Sequence, residues 1–189
     1  MVRGRSAGPV RPVRPIIGRA MPDGRKLAFD PIAEAHRQWE ARGWDTAATG
    51  MAVVTSVMRV QQLFMARADA VLRPFGLTFA RYEVLMLLLF SRRGHLPLGK
   101  VGERLQVGAA SVTNAIDRLQ DDGLVTRRSN PADGRGVLAA ITPAGKRLVL
   151  RATGELNAQF FAALGLSPGG LDDLSARLRE LRRLAGDFE

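Results

Sequence analysis

Between residues 109 and 135 the chain sets out side chains suited to gripping and reading a polyanion. Ser111, Thr113, Asn114 and Arg118 fall outside the stripe Val112, Ile116 and Leu119, so a helix that buries the stripe turns these four outward. Asn pairs bidentately with adenine, Arg with guanine, and Ser or Thr with a base or a phosphate. Ala109 and Ala110 are small enough to let the helix approach closely and to touch a thymine methyl. Arg127, Arg128 and Arg135 follow on a segment that reads as a β-hairpin, with Arg135 at its tip. A cationic side chain there suits a narrow, electronegative minor groove. Asp133, two residues away, is placed to pair with a nearby arginine and brace the loop. Asp117, Asp121 and Asp122 repel phosphate, which tilts the C-terminal half of the helix away from DNA.

These side chains need elements to hold them. Leu98, Val101 and Leu105 mark a short helix, Val107-Gly108 a tight turn, and Ala109 to Asp121 a second helix that Gly123 stops. Residues 124–129 and 136–142 read as two strands, joined by 130–135 with its Asp-Gly pair. Two helices, a glycine-containing turn and a hairpin make a winged helix-turn-helix. The expected fold is mainly α with a small β-hairpin. Upstream, Asp30-Pro31 caps a helix ending near Gly43, Thr49-Gly50 opens a longer amphipathic one, and Leu77-Thr78 begins a third. That third helix is apolar almost all round, which marks a central element. Downstream, Thr142-Pro143 and Ser167-Pro168 start two more helices. The chain therefore divides into a basic disordered arm (1–27), N-terminal helices (28–76), a DNA-binding unit (77–142) and C-terminal helices (143–189).

Charge points the same way. The net charge is +10, and residues 1–26 carry six of it, with seven cations against Asp23. Such a balance fits nucleic acid or an anionic surface. The arm has no amphipathic apolar face, which weighs against a membrane partner. The absence of cysteine rules out thiol redox switches, Cys-ligated zinc and cysteine nucleophiles. His36 and Glu40 share a helix face, but the chain offers no convincing metal set and no cofactor is expected. No P-loop, GxGxxG, GxSxG or HExxH motif occurs, so an enzyme is not expected. Neither a transmembrane run nor a signal-peptide core is present in the sequence, and the expected location is the cytoplasm. A nonspecific architectural DNA binder, driven by the basic arm, is the rival reading.

Three segments carry a family resemblance: 77–85 (LTFARYEVL), 111–127 (SVTNAIDRLQDDGLVTR) and 130–145 (NPADGRGVLAAITPAG). They resemble the MarR-type transcriptional regulators, over roughly Thr49 to Leu150, and Asp133-Gly134-Arg135 looks like that family's wing motif. The resemblance implies a homodimer whose terminal helices interlock, binding a pseudo-palindrome in double-stranded DNA, usually as a repressor and often released by a small ligand. Relatives place a polar cap where this chain has Gly108-Ala109-Ala110, which shifts weight to Ser111, Thr113, Asn114 and Arg118.

The added helix around Trp39 and Trp44 resembles the urate-responsive branch of the same family. The positions matching its anion pocket are Trp39, Glu83 and Arg118, with Glu83 standing where an aspartate is expected. That trio suits urate or another aromatic acid, since Trp offers a stacking face and Arg a planar donor fork. The competing reading makes Trp39 and Trp44 interface packing and Glu83–Arg118 an ordinary ion pair. Independently of the resemblance, Phe160, Phe161, Leu164 and the leucines from Leu171 to Leu184 form a stripe too apolar to leave in water. It is the expected dimer seam.

Overall fold

The computed structural model describes residues 27–131 and 133–189, with side chains for all of these except 133–135. The arm of residues 1–26 and the side chains of Asp133 and Arg135 therefore lie outside the described residues.

Capping chemistry sets most of the element boundaries. Helix α1 (Pro31–Glu40) starts with proline in its first turn and Asp30 accepting from the Ile32 N–H at 2.9 Å. Helix α2 (Asp45–Leu72) begins at Asp45, ahead of the expected Thr49-Gly50 opening. Trp44 occupies its N-cap without a side-chain bond, and the Trp44 ring packs edge to face on Trp39 at 5.4 Å. That apolar contact replaces a polar cap as the starting signal. A short 3₁₀ turn, Arg73–Phe75, closes the helix.

Helix α3 (Phe79–Phe90) is capped twice at its start. Thr78 accepts from the Arg81 N–H, and Asp69 of α2 accepts from the Phe79 N–H at 2.7 Å. Its buried residues Tyr82, Val84, Leu85 and Leu88 make it the hub of the core, as its apolar composition implied. Helix α4 (Leu98–Leu105) and helix α5 (Ala109–Asp121) follow. The left-handed residue between them is Gln106, at φ 54°, rather than Val107 or Gly108. Gly102 lets the two helices cross closely, since a Cβ there would sit 3.0 Å from the Val107 carbonyl oxygen.

The sheet has three strands, not two. Strand β1 (His95–Pro97) pairs antiparallel with β3 (Asp133–Ile141), which pairs with β2 (Val125–Asn130), giving the order β1-β3-β2. A three-residue strand with proline at its end carries too little pattern to be read from sequence. The hairpin is also tighter than the expected 130–135 loop. Asn130 pairs with Asp133 across a register shift, so Asp133 and Arg135 lie at the start of β3 instead of in the turn.

Helix α6 (Pro143–Gln159) runs back across the hub, followed by a 3₁₀ turn (Phe161–Ala163) and helix α7 (Pro168–Leu184). Phe160, expected on the exposed seam, is buried in the protomer's own core and meets Phe64 edge to face at 5.5 Å. Helix α7, in contrast, buries none of its residues.

The junction of β2, β3 and α6 is tightly packed. The Thr142 N–H donates to the Leu124 carbonyl at 3.0 Å, while its hydroxyl is shared between the Gly123 carbonyl at 2.9 Å and that of Leu124 at 3.2 Å and accepts from the Gly145 N–H. A Cβ at Gly145 would overlap the Leu124 carbonyl oxygen. Gly145→Ala is expected to lower unfolding stability by about 1–3 kcal/mol through this clash. Gly154→Ala, on the same helix with open space around it, should be neutral or gain up to about 1 kcal/mol. Urea denaturation of the two variants checks the contrast.

Candidate nucleic-acid interface

Helix α5 divides as its sequence periodicity requires. Val112, Ile116 and Leu119 are buried, and Ala109, Ala110, Ser111, Thr113, Asn114 and Arg118 are all exposed. The outward residues fall on two sides. Ser111, Asn114 and Arg118 share a groove of about 480 Å³ with Thr78 and Arg81 of α3, whereas Ala109, Ala110 and Thr113 do not line it. No side chain caps the α5 N-terminus, where Gly108 is the N-cap residue.

The acidic residues expected to repel DNA are largely engaged within the protein. Asp117 pairs with Arg127 of β2, and Asp122 pairs with Arg81 at 3.3 Å. Arg127 is thereby committed to fixing the hairpin against α5, leaving Arg128 as the exposed wing cation among the described side chains. Arg118 and Arg128 have no acidic partner among the described residues. Arg81 escaped sequence reasoning because it lies on α3, outside the helix that carried the base-reading pattern. Only the packing of α3 beside α5 brings it to the same groove.

The candidate ligand trio is spread over three helices, with Trp39 on α1, Glu83 on α3 and Arg118 on α5. Trp39 sits half-buried on α1 against Trp44, and α1 packs on α2. Arg118 lines the α3–α5 groove, which Glu83 and Trp39 do not. Glu83 is half-buried on α3, and among the described residues it forms no ion pair, with Arg118 or otherwise. Burial in apolar surroundings pushes its carboxyl above the ordinary value of 4.5.

The family model of the MarR family matches residues 75–136. The HTH-type transcriptional regulator YhbI of Bacillus subtilis is 32% identical over 120 residues, covering 64% of this chain and 73% of that protein. Among solved structures, Sco5413, a MarR family transcriptional regulator of Streptomyces coelicolor, is 48% identical. It superposes with a TM-score of 0.69, covering 75% of this chain and 98% of that one. Sco3205, a MarR family regulator from the same organism solved in complex with DNA, is 25% identical. Its TM-score is 0.62, with coverage of 68% of this chain and 82% of that one. The fold and its exposed helix define a winged helix-turn-helix DNA-binding protein that regulates transcription. The chain belongs to the MarR family.

The raised Glu83 carboxyl has a consequence for stability. Its folded value lies above its unfolded one, so the folded state binds more protons between the two, and stability falls as pH rises through that window. Glu83→Gln removes the titration. It should stabilise the protein at pH 7, with the advantage fading as pH falls below the ordinary carboxylate value of 4.5. Thermal melts of both proteins across that range measure the difference.

Proposed function

We propose that the protein is a repressor that binds a short pseudo-palindromic operator as a homodimer and is released by a small aromatic or anionic ligand. The observation that carries the DNA reading is the exposed row Ala109, Ala110, Ser111, Thr113, Asn114 and Arg118 over a fully buried stripe. In this reading residues 77–142 contact DNA, with α5 in the major groove and the wing arginines Arg128 and Arg135 on the flanking minor groove. Arg127 and Asp133 brace the wing.

The dimer reading is supported by apolar surface that a lone protomer leaves in water. Helix α2 exposes Val53, Val54, Val57, Met58 and Leu63, and α7 exposes Leu174, Leu178, Leu181 and Leu184. Residues 28–76 and 143–189 would form the seam. A two-fold axis there sets the two α5 helices ~34 Å apart, one turn of duplex. The ligand reading is supported by Glu83, a half-buried carboxyl without an ion-pair partner among the described residues, on the helix that touches both the core and α5. In this reading Trp39 and Arg118 complete the site, Trp39 as a stacking face and Arg118 as a donor fork. Urate and other aromatic acids are the ligands to try. The cytoplasm, as the compartment of operator DNA, is the setting this function requires.

In-vitro selection of bound duplexes, with and without urate and aromatic acids, tests the whole reading. A short inverted repeat should emerge and its occupancy should fall with the active ligand. If every duplex competes equally and affinity simply collapses with salt, the architectural alternative driven by the basic arm is correct. Asn114→Ala should relax the preference at one base pair per half-site by about 1–3 kcal/mol. Leu181→Asp should yield monomers in sedimentation; a surviving dimer would place the seam elsewhere.

A further inference from the structure

The groove between α3 and α5 carries one guanidinium on each wall, Arg81 and Arg118, and is also lined by Ser111 and Asn114 toward the N-terminal end of α5. Arg81 is held in place before any ligand arrives. Its Nη1 lies 3.3 Å from Asp122, its Nε lies 3.5 Å from the Thr78 hydroxyl, and its side chain is 21% exposed. A guanidinium has five N–H donors, and these contacts engage two of them. Arg118 has no acidic partner among the described residues. Two cations against Asp122 leave one net positive charge, which matches a monoanion.

Geometry selects which monoanion. An α-helix with its side chains is about 10–12 Å across and the major groove about 12 Å wide, so a helix seated in it has DNA backbone along its flanks. Ser111 and Arg118 stand on the α3-facing flank of α5, and Asn114 lies nearer the middle of the outward face. The group that reaches the α3–α5 groove is then a phosphodiester of the adjoining strand.

We propose that this groove seats one backbone phosphate per protomer, gripped by Arg81 and Arg118, and that this contact sets the depth and rotation of α5 in the major groove. The proposal rests on the DNA-binding reading above. It also moves Arg118 from a base edge to the backbone, since backbone contacts fix register while base contacts specify sequence. Asp122 acts as a positioning residue that holds Arg81 toward the groove.

The test replaces phosphates of a selected duplex one at a time with neutral methylphosphonates. The wild-type protein should lose affinity about fivefold at one position in each half-site. Arg81→Gln, which keeps a donor for Asp122 and Thr78, should bind unmodified DNA more weakly by a similar factor and lose nothing further at that position. It should weaken selected and scrambled duplexes equally, and the slope of log affinity against log salt should fall by about one per protomer, with Arg81→Lys restoring it. Circular dichroism melts confirm that both variants fold. Additive losses at every methylphosphonate position, an unchanged salt slope, or an altered base preference in Arg81→Gln would overturn the proposal. A wild type that ignores sequence refutes the specific-regulator reading instead, and the salt slope still reports on Arg81.

Discussion

The backbone carbonyl of Leu124 is the point on which the DNA-binding unit depends. Leu124 follows the left-handed Gly123 that ends α5, and its own N–H donates to Leu119 in the last turn of that helix. Its carbonyl accepts the Thr142 N–H, where β3 passes into α6, the Thr142 hydroxyl bridges it and the Gly123 carbonyl, and α6 approaches so closely that only glycine fits at position 145. The end of α5, the base of the hairpin and the start of α6 are thus joined through one peptide group. Close-packed junctions of this kind do not deform gradually, so a shift of α6 has to be passed to α5. The helix carrying the candidate base contacts is mechanically part of the helix that leads to the C-terminal apolar seam.

Charge is arranged in two layers on this unit. Asp117 and Asp122, near the C-terminal end of α5, are spent on Arg127 and Arg81, which tie that helix to β2 and to α3. Pairs as exposed as these add little stability individually. Their effect is orientational, since each fixes a side chain at the edge of the outward face. Arg118 and Arg128 stay outside these pairs and keep their charge available to a polyanion. Acidic residues that would oppose DNA if left alone become part of the scaffold that aims the basic ones.

The protomer is unfinished by its own packing. In 28 residues α2 buries only Ala48, Ala68, Val71 and Leu72, while a row of valines and Met58 faces outward. Helix α7 leaves Leu178 and Leu181 exposed and borders a cavity of about 830 Å³ lined by Phe64, Leu171 and Phe188. Apolar surface on this scale marks an interaction face. It lies on the terminal helices, away from α5, so association and DNA contact do not compete for the same residues.

Local chemistry determined much of this protein. The caps Asp30, Thr78, Thr142 and Ser167 each bond as their position before a helix implies, and the 3.6-residue period of α5 buries Val112, Ile116 and Leu119 and exposes all six candidate contact residues. Such signals act over one helical turn, so they are written in the residues themselves. Tertiary structure decided what no local pattern carries. The strand His95–Pro97 exists because β3 offers it a free edge, and α2 begins at Asp45 because Trp44 finds Trp39. Phe160 turns inward because Phe64 of a distant helix receives it. Arg81 joins the α5 groove through packing between helices, a groove that neither Trp39 nor Glu83 lines. Contacts between residues far apart in the chain depend on how whole faces fit together, and that fit is settled only when the core closes.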